Sequence, residues 1–256
     1  MLTRPIHTRR TATALTRWLL ATAALASAAA CGDPARPTAP PDESIAGSRA
    51  AGDVALPDGE YVAELHPLNA RVQNALDPDR ADGALGVAHG KAFFTVRNGQ
   101  FTARVEANGL EPDMPHAQHI HTATRCPPAS ADVNGDGIVD VVEGVPFYGP
   151  ILVPLDDDLA LQGAGAFPTA TGRRGTIHYQ ASVALDALLA DLNAPDPNPA
   201  DAVVKLNGAP LALETRHVVI HGVDIHTFLP PSVATLGTAP AQATLPVACG
   251  AIRKIG

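Results

Sequence analysis

The dipeptide Asn98-Gly99 constrains what this chain can fold into more than any other feature. It separates AFFTVR (92–97) from QFTARVEA (100–107). Asn-Gly is the strongest two-residue hairpin signal, because both residues tolerate the positive φ of a tight turn. Placing Arg97 opposite Gln100 sets Val96 against Phe101, Phe94 against Ala103 and Ala92 against Val105. One face of the pair is then apolar, and the other carries Arg97, Gln100, Thr102, Arg104 and Glu106. That alternation belongs to an antiparallel pair with one face in a core and one in water.

The rest of the chain points the same way. Its 256 residues include 24 Pro and 22 Gly, which exclude coiled coils and helical repeats because breakers recur too often for long helices. Further short strands are expected over 60–66, 118–122, 151–155, 176–183, 217–221 and 247–252. Short strands with frequent turn signals indicate a sandwich or barrel. One helix is expected, where Leu185, Leu188, Leu189 and Leu192 follow i, i+3, i+4, i+7 spacing. Ser182 is its expected N-cap, and Pro195 and Pro197 end it.

The first thirty residues read as an export signal. Arg4, Arg9, Arg10 and Arg17 precede a thirteen-residue apolar run, WLLATAALASAAA, at 18–30. That run is shorter than the ~20 residues a membrane-spanning helix needs, and it ends in small residues as a secretory signal does. Ala28-Ala29-Ala30-Cys31 resembles a bacterial lipobox, which makes Cys31 the expected lipidation site. Residues 31–57 are rich in Pro, Ala, Ser, Gly and charge, with little to bury, and read as a flexible tether. A single domain is expected over 58–256. The formal net charge is -8, and residues 1–30 hold four Arg and no acid; removing them leaves 14 basic against 26 acidic side chains, or -12. Such a chain is a poor partner for nucleic acid or for anionic lipid heads. It has no GxSxG, P-loop or GxGxxG pattern that would suggest hydrolase or nucleotide chemistry.

Residues 132–143, DVNGDGIVDVVE, carry the strongest local motif. A calcium loop of the EF-hand type needs oxygen ligands at positions 1, 3, 5, 9 and 12, a Gly at 6 and a backbone carbonyl at 7. Asp132, Asn134, Asp136, Asp140 and Glu143 supply the side chains, Gly137 the turn and Ile138 the carbonyl. A hard divalent cation takes six to eight oxygens, and Gly137 permits the bend that gathers them. Pro127 and Pro128 lie upstream, and Gly144, Pro146, Gly149 and Pro150 downstream. No long helix is expected on either side, so the loop reads as an isolated structural calcium site rather than a sensor.

Ten histidines include His119-Ile120-His121. In a strand, side chains at i and i+2 share a face, so His119 and His121 point together. His217 and His221 in RHVVIHG share a face in the same way. Neutral imidazoles suit copper or zinc. His66, His89 and His116 read as surface or hydrogen-bonded residues.

His-Ile-His (119–121), Cys126, Val-Val-Ile-His-Gly (218–222) and Ala-Cys-Gly-Ala-Ile (248–252) fall in an order that resembles the Cu,Zn superoxide dismutases. The segment 90–121 also resembles a CHRD domain. The resemblance implies an all-β, Greek-key β-sandwich, here with long loops and one short helix. It implies His119, His121 and His221 as copper ligands, and a disulfide between Cys126 and Cys249.

The chain departs from that pattern in ways that bear on function. The family's His-rich zinc loop is replaced by the stretch holding the calcium motif, where His178 is the one histidine before Arg216. The family's Arg three residues before the last Cys is Pro246 here. The expectation is an exported calcium-binding lipoprotein, periplasmic or on the cell surface, with a mononuclear copper site. Its partners are metal ions, and the membrane through the anchor alone; its role is binding rather than turnover. The alternative is a copper-dependent dismutase-like enzyme without zinc. His178, His217 and His226 are the candidates to complete the copper shell.

Overall fold

The hairpin at Asn98-Gly99 is the centre on which the rest of the sheet is built. The structure is a computed structural model that describes residues 56–73, 86–160, 165–196 and 203–256. The export signal, Cys31 and the tether to residue 55 lie outside the described residues. Strands β2 (His89–Arg97) and β3 (Gln100–Asn108) pair in the expected register, Arg97 with Gln100 and Phe94 with Ala103. Asn98 and Gly99 take φ of 50° and 73°, as the turn requires. Phe94 and Phe101 stack on the inner face with ring centroids 6.0 Å apart. On the outer face the Arg104 guanidinium lies 4.5 Å over the Phe93 ring.

Six more strands follow from the alternating segments: β1 (Gly59–Pro67), β4 (Gln118–His121), β5 (Ile151–Pro154), β6 (Ile177–Ala184), β7 (His217–His221) and β8 (Pro246–Lys254). The fold is all-β, a single antiparallel eight-stranded sheet in the order β5-β4-β7-β8-β1-β2-β3-β6. The sheet curls. Phe94, Phe101 and Val105 from one half pack in the same buried cluster as Ile120, Val218 and Ile220 from the other. β8 is the shared strand, pairing with β7 on one side and β1 on the other. Gly250 allows this passage, since a Cβ there would collide with the backbone of Glu64 on β1. The edges β5 and β6 are linked by Tyr179, whose hydroxyl donates to the Asp156 carbonyl at 2.6 Å.

The helices are short: α1 (Ala70–Gln73), α2 (Val141–Tyr148), α3 (Leu185–Asn193) and α4 (Ala241–Thr244). Among the described residues no helix is long and apolar enough to cross a membrane. Helix α3 is the one foreseen, and it buries Leu185, Leu188 and Leu192. Its cap differs from expectation. Ser182 stays in β6, paired with Thr102 of β3 through a 2.8 Å hydroxyl contact. Ala184 takes the N-cap position without a side-chain bond, and the Leu185 amide donates to the Gly99 carbonyl instead. A disulfide joins Cys126, in the connection after β4, to Cys249 on β8, across 123 residues.

Candidate metal centre

Strands β4 and β7 run side by side, with His119 opposite Val219 and His121 opposite His217. Ile120, Val218 and Ile220 point into the core. Alternation therefore places His119, His121 and His221 on the other face. The pairing of β4 with β5 shifts register between Ile120 and His121, and that of β7 with β8 between Ile220 and His221. Bulges of this kind re-aim a side chain, and each falls on a ring of the cluster. Ring centroids lie 5.5 Å apart for His119 and His121, 5.3 Å for His119 and His221 and 5.9 Å for His121 and His221. One ring nitrogen from each lies within 4.8 Å of the others, and all three residues are buried.

Backbone carbonyls set the chemistry of these rings. His121 Nδ1 donates to the Gly149 carbonyl at 2.8 Å, and His221 Nδ1 to the Thr244 carbonyl at 2.7 Å. A carbonyl only accepts, so each Nδ1 carries the proton and each Nε2 keeps a lone pair. Orientation of a ring through its second nitrogen is the usual support of a metal-bound histidine. His119 Nδ1, His121 Nε2 and His221 Nε2 are buried without a hydrogen-bond partner. An unmet buried acceptor costs about 1–3 kcal/mol, so three at one point demand an explanation. A cation that takes neutral nitrogen donors supplies one. Burial pushes His121 down to about 3 and His221 to about 4, and holds His119 well below the usual histidine range. Proximity of the other imidazoles deepens the shift in His119 and His121. The rings are thus neutral donors at pH 7.

Helix α2 covers the cluster. The Tyr148 ring packs 4.7 Å from His121 and 6.5 Å from His221, and Phe167 flanks His119 at 5.2 Å. Gly144 gives Tyr148 its place, since a Cβ there would collide with the ring. Gly149, at φ 79°, turns the chain so that its carbonyl meets His121. The chain after β4 is stapled to this helix end, with the Ala123 amide on the Tyr148 carbonyl at 2.8 Å.

The other histidines stand apart. His217 is buried beside His121, and its Nδ1 donates to the Ala123 carbonyl at 3.0 Å. His178 is exposed on β6 and His226 on the loop after β7, so neither joins the three rings. His66 and His89 are exposed. His116 is fully buried, with its nitrogens against the His221 and Glu111 carbonyls at 2.9 and 2.8 Å. Pro246 is buried on β8 opposite His221 and brings no charge there.

Residues 132–143 form a tight loop. Asp132 accepts from the amides of Gly135 and Gly137, both at 2.8 Å. Glu143 accepts from Val133 at 2.9 Å and from Asp140 at 3.2 Å. Asp136 accepts from Ile138 at 2.9 Å and from the Ser232 hydroxyl at 2.6 Å, while Asn134 accepts from the Asp136 amide at 2.9 Å. Gly135 and Gly137 take φ of 75° and 87°. No long helix flanks the loop, as expected, though a short helix that was not foreseen follows it. Upstream there is a single turn of 3-10 helix at Ala129–Ala131, but downstream the eight-residue helix α2 begins at once. Asp140 is its N-cap and Glu143 completes a capping box.

Asn69, after β1, was not visible as a site residue. Its side-chain amide bonds both the N–H and the C=O of Val139, at 2.8 and 2.9 Å, and clamps the loop to the sheet. Tyr148, Gly149 and Thr244 were likewise missed, because they act through packing and main-chain carbonyls. The capping-box spacing Asp140-x-x-Glu143 was the signal that could have revealed α2. No family model matches the chain, and no curated protein matches it in sequence.

Proposed function

We propose that the chain is an exported, lipid-anchored metal-binding protein, in which a fold of the Cu,Zn superoxide dismutase or CHRD type holds one copper ion on His119, His121 and His221. The observation that carries this reading is the convergence of three buried imidazoles, each with a ring nitrogen left unpartnered. Copper(II) stands at the top of the affinity order for such donors. When bound, the ion would supply a redox-active Lewis acid with an open coordination position. The protein's part is to hold the tautomers of His121 and His221 through Gly149 and Thr244. The Greek-key reading is supported by β3 lying beside β6 and β4 beside β7, strands three apart in the chain. Calcium in the 132–143 loop, on Asp132, Asn134, Asp136, Ile138, Asp140 and Glu143, is the second metal in this proposal. The disulfide suits an oxidising compartment.

The role is binding rather than superoxide turnover. Among the described residues, no charged side chain lines the cavity above the three rings, and an anionic substrate needs a positive field to be drawn in. No zinc cluster accompanies the three rings among the described residues.

Copper titration of the purified chain, followed by electron paramagnetic resonance, tests this. One copper per chain with nitrogen hyperfine structure is expected, lost in His119→Ala and in His121→Ala. Ligands assembled only in the folded state must stabilise it, so an unchanged melting temperature on copper addition overturns the proposal.

A further inference from the structure

The three rings form the floor of a cavity of about 540 Å³. Helix α2 contributes Val141, Val145 and Tyr148 to its walls, and the connection before β8 contributes Leu236 and Ala243. Among the described residues the lining includes no Asp, Glu, Lys or Arg. The hydroxyls of its Tyr148 and Thr244 are already engaged. Tyr148 donates to the Val141 carbonyl at 3.2 Å, and Thr244 pairs with Thr235 at 3.0 Å. A charged ligand would lose its hydration here and meet no counter-charge. A ligand with several polar groups would find few partners away from the floor.

Size decides between the remaining classes. Water, or an inorganic ligand of similar size, fills roughly 30 Å³, a small part of this space. The volume lies in the ~300–1,000 Å³ range of pockets that enclose small organic molecules, and the make-up of apolar walls with a few placed polar atoms is that of such pockets. The placed polar group here is the three-histidine cluster, or an ion held on it.

We propose that this cavity binds a neutral, predominantly apolar organic molecule bearing a single lone-pair donor, such as a heteroaromatic nitrogen. The donor faces the three-histidine floor, and the apolar body lies against Val141, Val145 and Leu236. The donor end rests on the metal reading above; the apolar end does not.

Two titrations separate those dependencies. In the first, the copper-loaded full chain is titrated with pyridine, 4-phenylpyridine and azide, and the copper spectrum is followed. 4-Phenylpyridine is expected to bind at least ten-fold more tightly than pyridine and more tightly than azide. Leu236→Asp, in an exposed loop position, should cut that advantage to less than three-fold. Val145→Thr, close in shape, should lower it in the same direction. Equal affinity for the two pyridines, preference for azide or indifference to both variants overturns the inference.

In the second, the metal-free chain is titrated with the neutral fluorophore N-phenyl-1-naphthylamine. Saturable enhancement, weakened about ten-fold by Leu236→Asp, is expected. Failure of copper to bind while the fluorophore does so removes the metal reading and retains the apolar site. Copper binding without either apolar probe removes this inference alone.

Discussion

Two of the three buried histidines, His121 and His221, are held as neutral donors by main-chain carbonyls on their other nitrogens. Burying these rings makes the fold acid-sensitive, although the carbonyls partly offset the shift. The folded values of about 3 for His121 and about 4 for His221 lie below the ordinary 6.5 of an unfolded histidine. Between those limits the unfolded chain binds protons that the folded chain refuses. Stability must therefore rise with pH across this window and fall as acid is added, by about 1.4 kcal/mol per pH unit for each histidine once past its unfolded pKa. His119, His116 and His217 are shifted in the same direction by burial. Urea unfolding of the metal-free chain from pH 7.5 to 5 should show a falling midpoint. His121→Gln should flatten the slope by one histidine's share. A midpoint independent of pH across that range contradicts the assignment of buried neutral rings.

At the scale of elements, α2 has two functions. Its first turn closes the 132–143 loop, and its last turn roofs the histidines. Asp140 Oδ1 accepts from the amides of Val142 and Glu143 at 2.8 and 3.0 Å, while Oδ2 accepts from Ala234 at 2.6 Å. Asp140→Ala is expected to destabilise the calcium-free chain by ~0.5–2 kcal/mol through the lost cap. Asn134 is exposed and holds only the Asp136 amide and a long contact to Ser232. Asn134→Ala should shift calcium-free stability by about 0.5 kcal/mol or less and still weaken calcium in a calorimetric titration. An Asn134→Ala chain with an undiminished calcium isotherm, or a wild-type chain with none, removes calcium from the loop.

The elements were unevenly legible in the sequence. The strands were readable because Asn98-Gly99 pins a register and alternation does the rest. Helix α2 was hidden because Gly144, Pro146 and Gly149 read as breakers. In the fold, Gly144 admits the Tyr148 ring, Gly149 turns the carbonyl to His121, and Pro146 falls near the end of a helix held by its cap. The HxH spacing showed that two rings share a face. It could not show the bulges that bring His221 to them, since a bulge is a property of the paired strands. Ser182 looked like a cap because the sequence does not reveal that Thr102 holds it in β6.

For the whole molecule, the curled sheet leaves its longest connections to be organised by other means, and the disulfide is the main one. Cys126 opens the connection that contains the 132–143 loop and α2, and Cys249 sits on β8, the strand common to both halves of the sheet. Cys249 is buried with Val219 and Tyr148, and Cys126 packs against that group. The bridge is therefore part of the layer that carries the histidine roof. Closing a loop of 123 residues removes unfolded-state entropy worth about 4–5 kcal/mol in the chain-entropy model. That is a large share of the ~5–15 kcal/mol that holds a typical domain together. Reductant should therefore lower the urea midpoint of the wild-type chain sharply. The double variant Cys126→Ala/Cys249→Ala should start near the reduced midpoint and respond no further. Because the bridge touches Tyr148, copper affinity should also fall in the double variant, while a variant of Cys31 alone should change neither. A wild-type midpoint that stays fixed while both thiols become alkylatable would show that the sheet holds this layer without the bridge.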